Sequence, residues 1–101
     1  MAFESAQFDA NIAAAAGGDP ALLAELRAAF AQSVLQHCDL LHRARCDANW
    51  VTAARRLKGL GASFHAQELV ALAEEALDGA PGDPVVLRKL DGFARDADAA
   101  P

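Results

Sequence analysis

Residues Asn49 to Leu69 read NWVTAARRLKGLGASFHAQEL. Trp50, Ala54 or Ala53, Leu57, Leu60 or Gly61, and Phe64 recur at three- and four-residue spacing, which predicts one stripe of an α-helix facing a core. The other side of that helix carries Val51, Arg55, Lys58, Gly59 and Ala62, with Arg56 next to them. Two small residues on that side leave the cations standing in a shallow, open patch.

Working outward from this stretch, the chain is one domain of 101 residues, enough for a single modest core. Hydrophobic residues make up 53% of it, alanine and leucine dominate, tyrosine is absent and β-branched residues are few, so the composition predicts an all-α fold. The formal net charge of −5 leaves no cationic surplus to displace counterions from nucleic acid or to bind lipid headgroups, so neither is expected as a partner. Cys38 and Cys46 are the only cysteines. Eight residues apart on a helix they are separated by about 12 Å of rise, beyond the reach of a disulfide. Two unpaired thiols, a polar N-terminal stretch and no apolar run of membrane-spanning length favour a cytoplasmic location.

Taken in order, Gln7 to Ala16 can form a short first helix with Phe8 and Ile12 as apolar contacts, ended by Gly17-Gly18. Asp19-Pro20 restarts the chain with an acidic N-cap and a proline at the first helical position. The second helix is expected from Pro20 to about Arg45, with Leu22, Leu26, Phe30 or Ala29, Val34 or Ser33, His37, Leu40 or Leu41, and Ala44 inward. Asp47 or Asn49 is expected to cap the third helix, which ends near Phe64. A fourth helix spans Ala66 to Leu77, with Leu69, Leu72 or Ala73, and Ala76 or Leu77 inward. After the loop 78–82, Asp83-Pro84 repeats the cap-and-proline device. It opens a last helix with Val86 or Leu87, Leu90, Phe93 or Ala94, and Ala97 inward, fraying from Asp98. The expected architecture is an antiparallel four-helix bundle over residues 1–101, preceded by a short cap helix.

Ala54, Leu57, Lys58, Gly59, Ala66 and Leu69, with Arg56 at a free position, match a signature of the form A-H-x-L-K-G-(small)-x-x-x-x-G-A-x-x-L. The chain thereby resembles histidine-containing phosphotransfer (HPt) domains, four-helix carriers that pass a phosphoryl group between receiver-domain aspartates. Phe8-Asp9 and Gly17-Gly18-Asp19-Pro20 followed by leucines extend the likeness over nearly the whole chain. Two positions depart from it. Arg55 stands where the family keeps its phosphoacceptor histidine, and His65 stands where the family has its second glycine.

The first departure bears on chemistry. A neutral imidazole nitrogen can attack an acyl phosphate near neutral pH and hold the phosphoryl group as a labile phosphoramidate. A guanidinium stays protonated and has no free lone pair to offer. By the resemblance, Lys58 matches the lysine beside the phosphorylated ring and Gly59 the glycine that lets a receiver come close. The implied partner is the receiver domain of a response regulator, or of a hybrid histidine kinase. The docking residues are Val51, Arg55, Arg56, Lys58, Gly59 and Ala62, and Arg55 enters the receiver's acidic pocket. Such a protein docks without carrying phosphate: a pseudo-phosphotransfer protein, monomeric, with no cofactor and no metal.

The second departure bears on the backbone. His65 can take the left-handed conformation that usually falls to glycine, at a cost of about 1 kcal/mol, or the turn can be rebuilt around Ser63. His65 is also the alternative phosphoacceptor, although ten residues past Arg55 it lies about 80° around and 15 Å along an ideal helix, off the docking face unless the turn swings it back. His37 is expected as a satisfied, half-buried histidine. Cys38, His42 and Cys46 recur every four residues with zinc-ligand chemistry, but a straight helix cannot wrap three ligands around one ion. Glu74-Glu75 and Asp96 to Asp98 read as solvated faces.

Overall fold

A computed structural model describes residues 5–99, with side chains described for 8–98. It is all-helical: α1 (Ser5–Ala16), α2 (Pro20–Arg43), α3 (Asp47–Ser63), α4 (Gln67–Asp78) and α5 (Pro84–Ala99). Local chemistry sets most of the boundaries. Gly17 and Gly18 both take positive φ, 62° and 82°, and stop α1. The Asp19 carboxylate then accepts the backbone N–H groups of Ala21 and Leu22 (2.9 and 3.3 Å), two donors that would otherwise be orphaned at the start of α2. Asp83 does the same for the N–H of Val85 at 3.0 Å, with Pro84 opening α5.

Other boundaries differ from the sequence expectation. Helix α2 stops at Arg43 because Ala44 turns extended (ψ 129°), and the Arg45 guanidinium folds back to donate to the His42 carbonyl at 3.0 Å. Neither Asp47 nor Asn49 caps α3: the N-cap is Cys46, whose side chain makes no capping bond, and Asp47 enters the first turn, where its charge suits the helix dipole. The last helix continues through Asp98 to Ala99 instead of fraying at Asp98. The remainder of that expected tail lies outside the described residues.

The turn between α3 and α4 decides how these two helices meet. His65 takes φ 56°, the left-handed value. Its N–H donates to the Ala62 carbonyl (3.2 Å), and the N–H of Ala66 donates to the Gly61 carbonyl (2.8 Å), the paired bonds of a Schellman closure. The expected alternative of a turn rebuilt on Ser63 is not taken. Immediately behind the turn, a Cβ on Gly61 would lie 3.0 Å from both the Cγ2 and the backbone nitrogen of Val70. The missing side chain is what lets α4 lie this close. Further along the same seam the Trp50 indole N–H donates to the Ala76 carbonyl at 2.7 Å, a buried donor satisfied across the helix pair.

Packing continues around the molecule from this pair. Helix α3 also packs on α2, α2 on α5, and α5 on α4, while α1 lies against α2. Trp50, Ala53, Ala54, Leu57 and Gly61 are buried on α3, and Leu60 and Phe64 press against the core from its edge. Phe30 is the hub of an aromatic cluster, with ring centroids 4.7 Å from Phe8, 5.0 Å from Phe64 and 6.3 Å from Phe93. An Asp9–Arg27 ion pair adds a polar tie between α1 and α2. On α2 the buried residues are Phe30, Ala31, Val34, Cys38 and Leu41, so of the expected pair Leu40 or Leu41 it is Leu41 that turns inward. Two residues differ from the sequence reading: Leu22 is 38% exposed, and Cys38 is buried beside the half-buried His37. A thiol is small and apolar enough to be buried without a partner; an imidazole is not. His37 sits half-buried, with Nδ1 2.7 Å from the Ser33 carbonyl, the satisfied state expected of it.

Two helical glycines therefore have opposite roles. A Cβ on Gly59 meets nothing within 4 Å, so Gly59→Ala should raise unfolding stability by about 0.5–1 kcal/mol through the unfolded-state entropy and propensity that glycine forfeits. Gly61→Val should lower it by about 1–3 kcal/mol, because two of its three nearest neighbours are backbone atoms that cannot step aside. Denaturant unfolding of the two variants checks the pair of signs.

Candidate functional site

The outer face of α3 rises from the middle of the helix, opposite the stripe that anchors it. Arg55 and Arg56 are exposed, as are Gly59 and Ala62; Val51 and Lys58 are half-buried. Among the described residues neither Arg55 nor Arg56 has a carboxylate partner or a hydrogen bond. Open space above Gly59 leaves the backbone accessible between Arg55 and Ala62. A surface with free guanidinium groups and no side chain over the adjoining turn is suited to a close, acidic contact.

Not all six predicted docking residues behave alike. Arg56 turns toward α2, where it lines a groove of about 410 Å³ with Leu40, Arg43, Asn49 and Thr52. Lys58 turns toward α4, and its Nζ lies 3.2 Å from a carboxylate oxygen of Glu74. Arg55 stands between them. The solvated reading of Glu74-Glu75 is thus incomplete: Glu74 pairs with Lys58 and Glu75 with Lys89, at 3.1 Å. Glu74 is the residue that sequence reasoning missed. The only signal that could have found it is the antiparallel register implied by a tight turn at 64–66, which brings positions near 58 and 74 together.

His65 is exposed at the turn, on a left-handed backbone. It lines a depression together with Gly61, Ala62, Gln67, Val70 and Glu74, of which Ala62 is one of the six predicted docking residues. His42 lies on another side of the molecule, its Nε2 2.9 Å from the Asp91 carboxylate of α5. Cys38 is buried below that pair, while Cys46 is exposed at the start of α3, so the four-residue series is not gathered at one point. No group of three or more potential metal ligands comes together among the described residues. No helix among them is long and apolar enough to cross a membrane.

Burial, with the charge of Asp91 adding to it, pushes the Cys38 thiol from 9.0 up to about 12. Folding thus favours the protonated thiol. The stabilisation is fully present below the unfolded value of 9.0 and is lost as pH rises from there toward 12. A thiol reagent at pH 8 should label Cys46 promptly and Cys38 only on unfolding. Parent stability should also fall more steeply above pH 9 than that of Cys38→Ala, by up to about 1.4 kcal/mol per pH unit.

Comparison with family models, with curated proteins and with solved structures yields no match for this chain.

Proposed function

We propose that the chain is a pseudo-phosphotransfer protein of two-component signalling: an antiparallel four-helix bundle formed by α2 to α5, with α1 as a cap, that docks a receiver domain without accepting phosphate. The bundle is supported by the cycle of packing, in which each of the four helices lies against two of the others. The docking role is supported chiefly by one observation. Arg55 stands exposed and without a carboxylate partner among the described residues, at the position where the resemblance puts a phosphoacceptor, beside Lys58 and the open backbone of Gly59.

In this reading the partner is the receiver of a response regulator or of a hybrid histidine kinase. Its acidic pocket, which holds the phosphorylatable aspartate, receives the Arg55 guanidinium as a charge-assisted pair. The protein then competes for the receiver or scaffolds it, acting as a cytoplasmic monomer with no enzymatic activity of its own. Nothing is transferred, because the guanidinium offers no lone pair to phosphorus. Net charge of −5 disfavours nucleic acid and anionic membranes as alternatives. A second reading is favoured by the placement of His65 at the edge of the same face: an active phosphotransferase using that imidazole.

Receiver binding and phosphoryl labelling separate the readings. The parent should bind a receiver yet stay unlabelled when the receiver is phosphorylated, and Arg55→Glu should weaken binding at least tenfold by setting like charges against each other. Arg55→His should restore an acceptor and take up acid-labile, base-stable phosphate. Label on the parent that disappears in His65→Gln transfers the assignment to the second reading, and an Arg55→Glu variant that binds as tightly as the parent sinks the first.

A further inference from the structure

Of the three cations at the docking face, Arg55 and Arg56 have no carboxylate partner among the described residues, whereas Lys58 is held by Glu74. The pairing follows from the approach of α4 at Gly61. With Val70 seated against Gly61, Lys58 lies one turn back on α3 and Glu74 one turn onward on α4, so the two side chains meet across the seam. Glu74 also lines the depression that contains Ala62 and His65, which places its carboxylate at the rim of the docking face. The neighbouring Glu75 points elsewhere, to Lys89 of α5.

The geometry points to Glu74 as an internal competitor for Lys58, a residue that sets which partners the face accepts; this rests on the docking reading above. Lys58 and Glu74 are 44% and 55% exposed, so their contact is solvated and weak enough to exchange with an incoming carboxylate. A partner acid that reaches Lys58 gains only the difference between its own contact and the one it displaces. It also strands the Glu74 carboxylate at the rim of the interface, where a carboxylate opposite it is repelled. The face therefore favours a partner that offers an acid to Arg55 and Lys58 and a base to Glu74, and disfavours a uniformly acidic one.

The test uses the full chain as parent, Glu74→Gln, Glu75→Gln, Lys58→Met and the Glu74→Gln/Lys58→Met double variant, with two probes: a receiver domain and a hexa-aspartate peptide. Glu74→Gln should bind the peptide roughly two- to fivefold more tightly than the parent, a gain that vanishes in the double variant and is not reproduced by Glu75→Gln. Equal gains from Glu74→Gln and Glu75→Gln, or no gain from Glu74→Gln, overturn the role of Glu74, whatever the receiver does. A parent that binds no receiver while the peptide still shows the Lys58-dependent gain sinks the docking reading and leaves the role of Glu74 standing.

Discussion

The absence of a side chain at Gly61 is the constraint on which the arrangement of α3 and α4 depends. It lets Val70 approach to a distance at which an added Cβ would have to push its neighbours back by a few tenths of an ångström, and the carbonyl of the same residue accepts the Ala66 N–H that closes α3. One residue thus sets both how near α4 lies and where it begins. His65 accepts a left-handed backbone to make that closure, a conformation costing about 1 kcal/mol for a residue with a Cβ, and the packing that follows offsets it. From this fixed end the seam runs through the Lys58–Glu74 pair to the Trp50 hydrogen bond at Ala76, so the position of Lys58 follows from a backbone contact at Gly61.

Core packing and surface charge lie on different sides of α3. Inward, Trp50, Ala54 and Leu57 are almost wholly removed from water, and burial of such apolar area at about 25 cal/mol per Å² is what holds the helix in place. Outward, the ion pairs are solvated, and pairs of that kind contribute little to folding. No charged residue is in the buried core among the described residues. The chain has an excess of acidic over basic groups, 14 to 9, yet Arg55 and Arg56 are not drawn into ion pairs.

How much of this could be read from residues alone depends on how local its cause is. Asp19-Pro20 and Asp83-Pro84 were legible because a carboxylate two residues ahead of an N–H needs no tertiary context. The α3 stripe was legible because a helix of 17 residues with one core-facing side keeps a single period. The stripe of α2 was legible from Phe30 onward but not at its start. Over 24 residues that helix meets α1, α3 and α5, so its buried face is set by which neighbour lies where, and Leu22 ends up outside while Cys38 goes in. The cap of α3 was missed because Cys46 carries no capping bond, leaving no side-chain signal to read. Glu74 was missed for a different reason: its partner depends on interhelix register, and the sequence left Leu60 and Gly61 as equal alternatives for the contact that sets it.

Position 55 is where chemistry and folding separate most cleanly. Docking asks for shape and positive potential, whereas phosphoryl acceptance asks for a lone pair on nitrogen, and a guanidinium meets the first demand while failing the second. Folding asks for neither there, since Arg55 is exposed and contributes no contact to the core. The stripe of Trp50, Ala54, Leu57 and Gly61 carries α3 whichever residue occupies position 55. A single exchange at that site can therefore change the chemistry of the face while leaving the packing of α3, Lys58 and the open backbone at Gly59 as they are. A fold alone is thus no proof of an activity, since an exposed side chain such as Arg55 is one that the core does not specify.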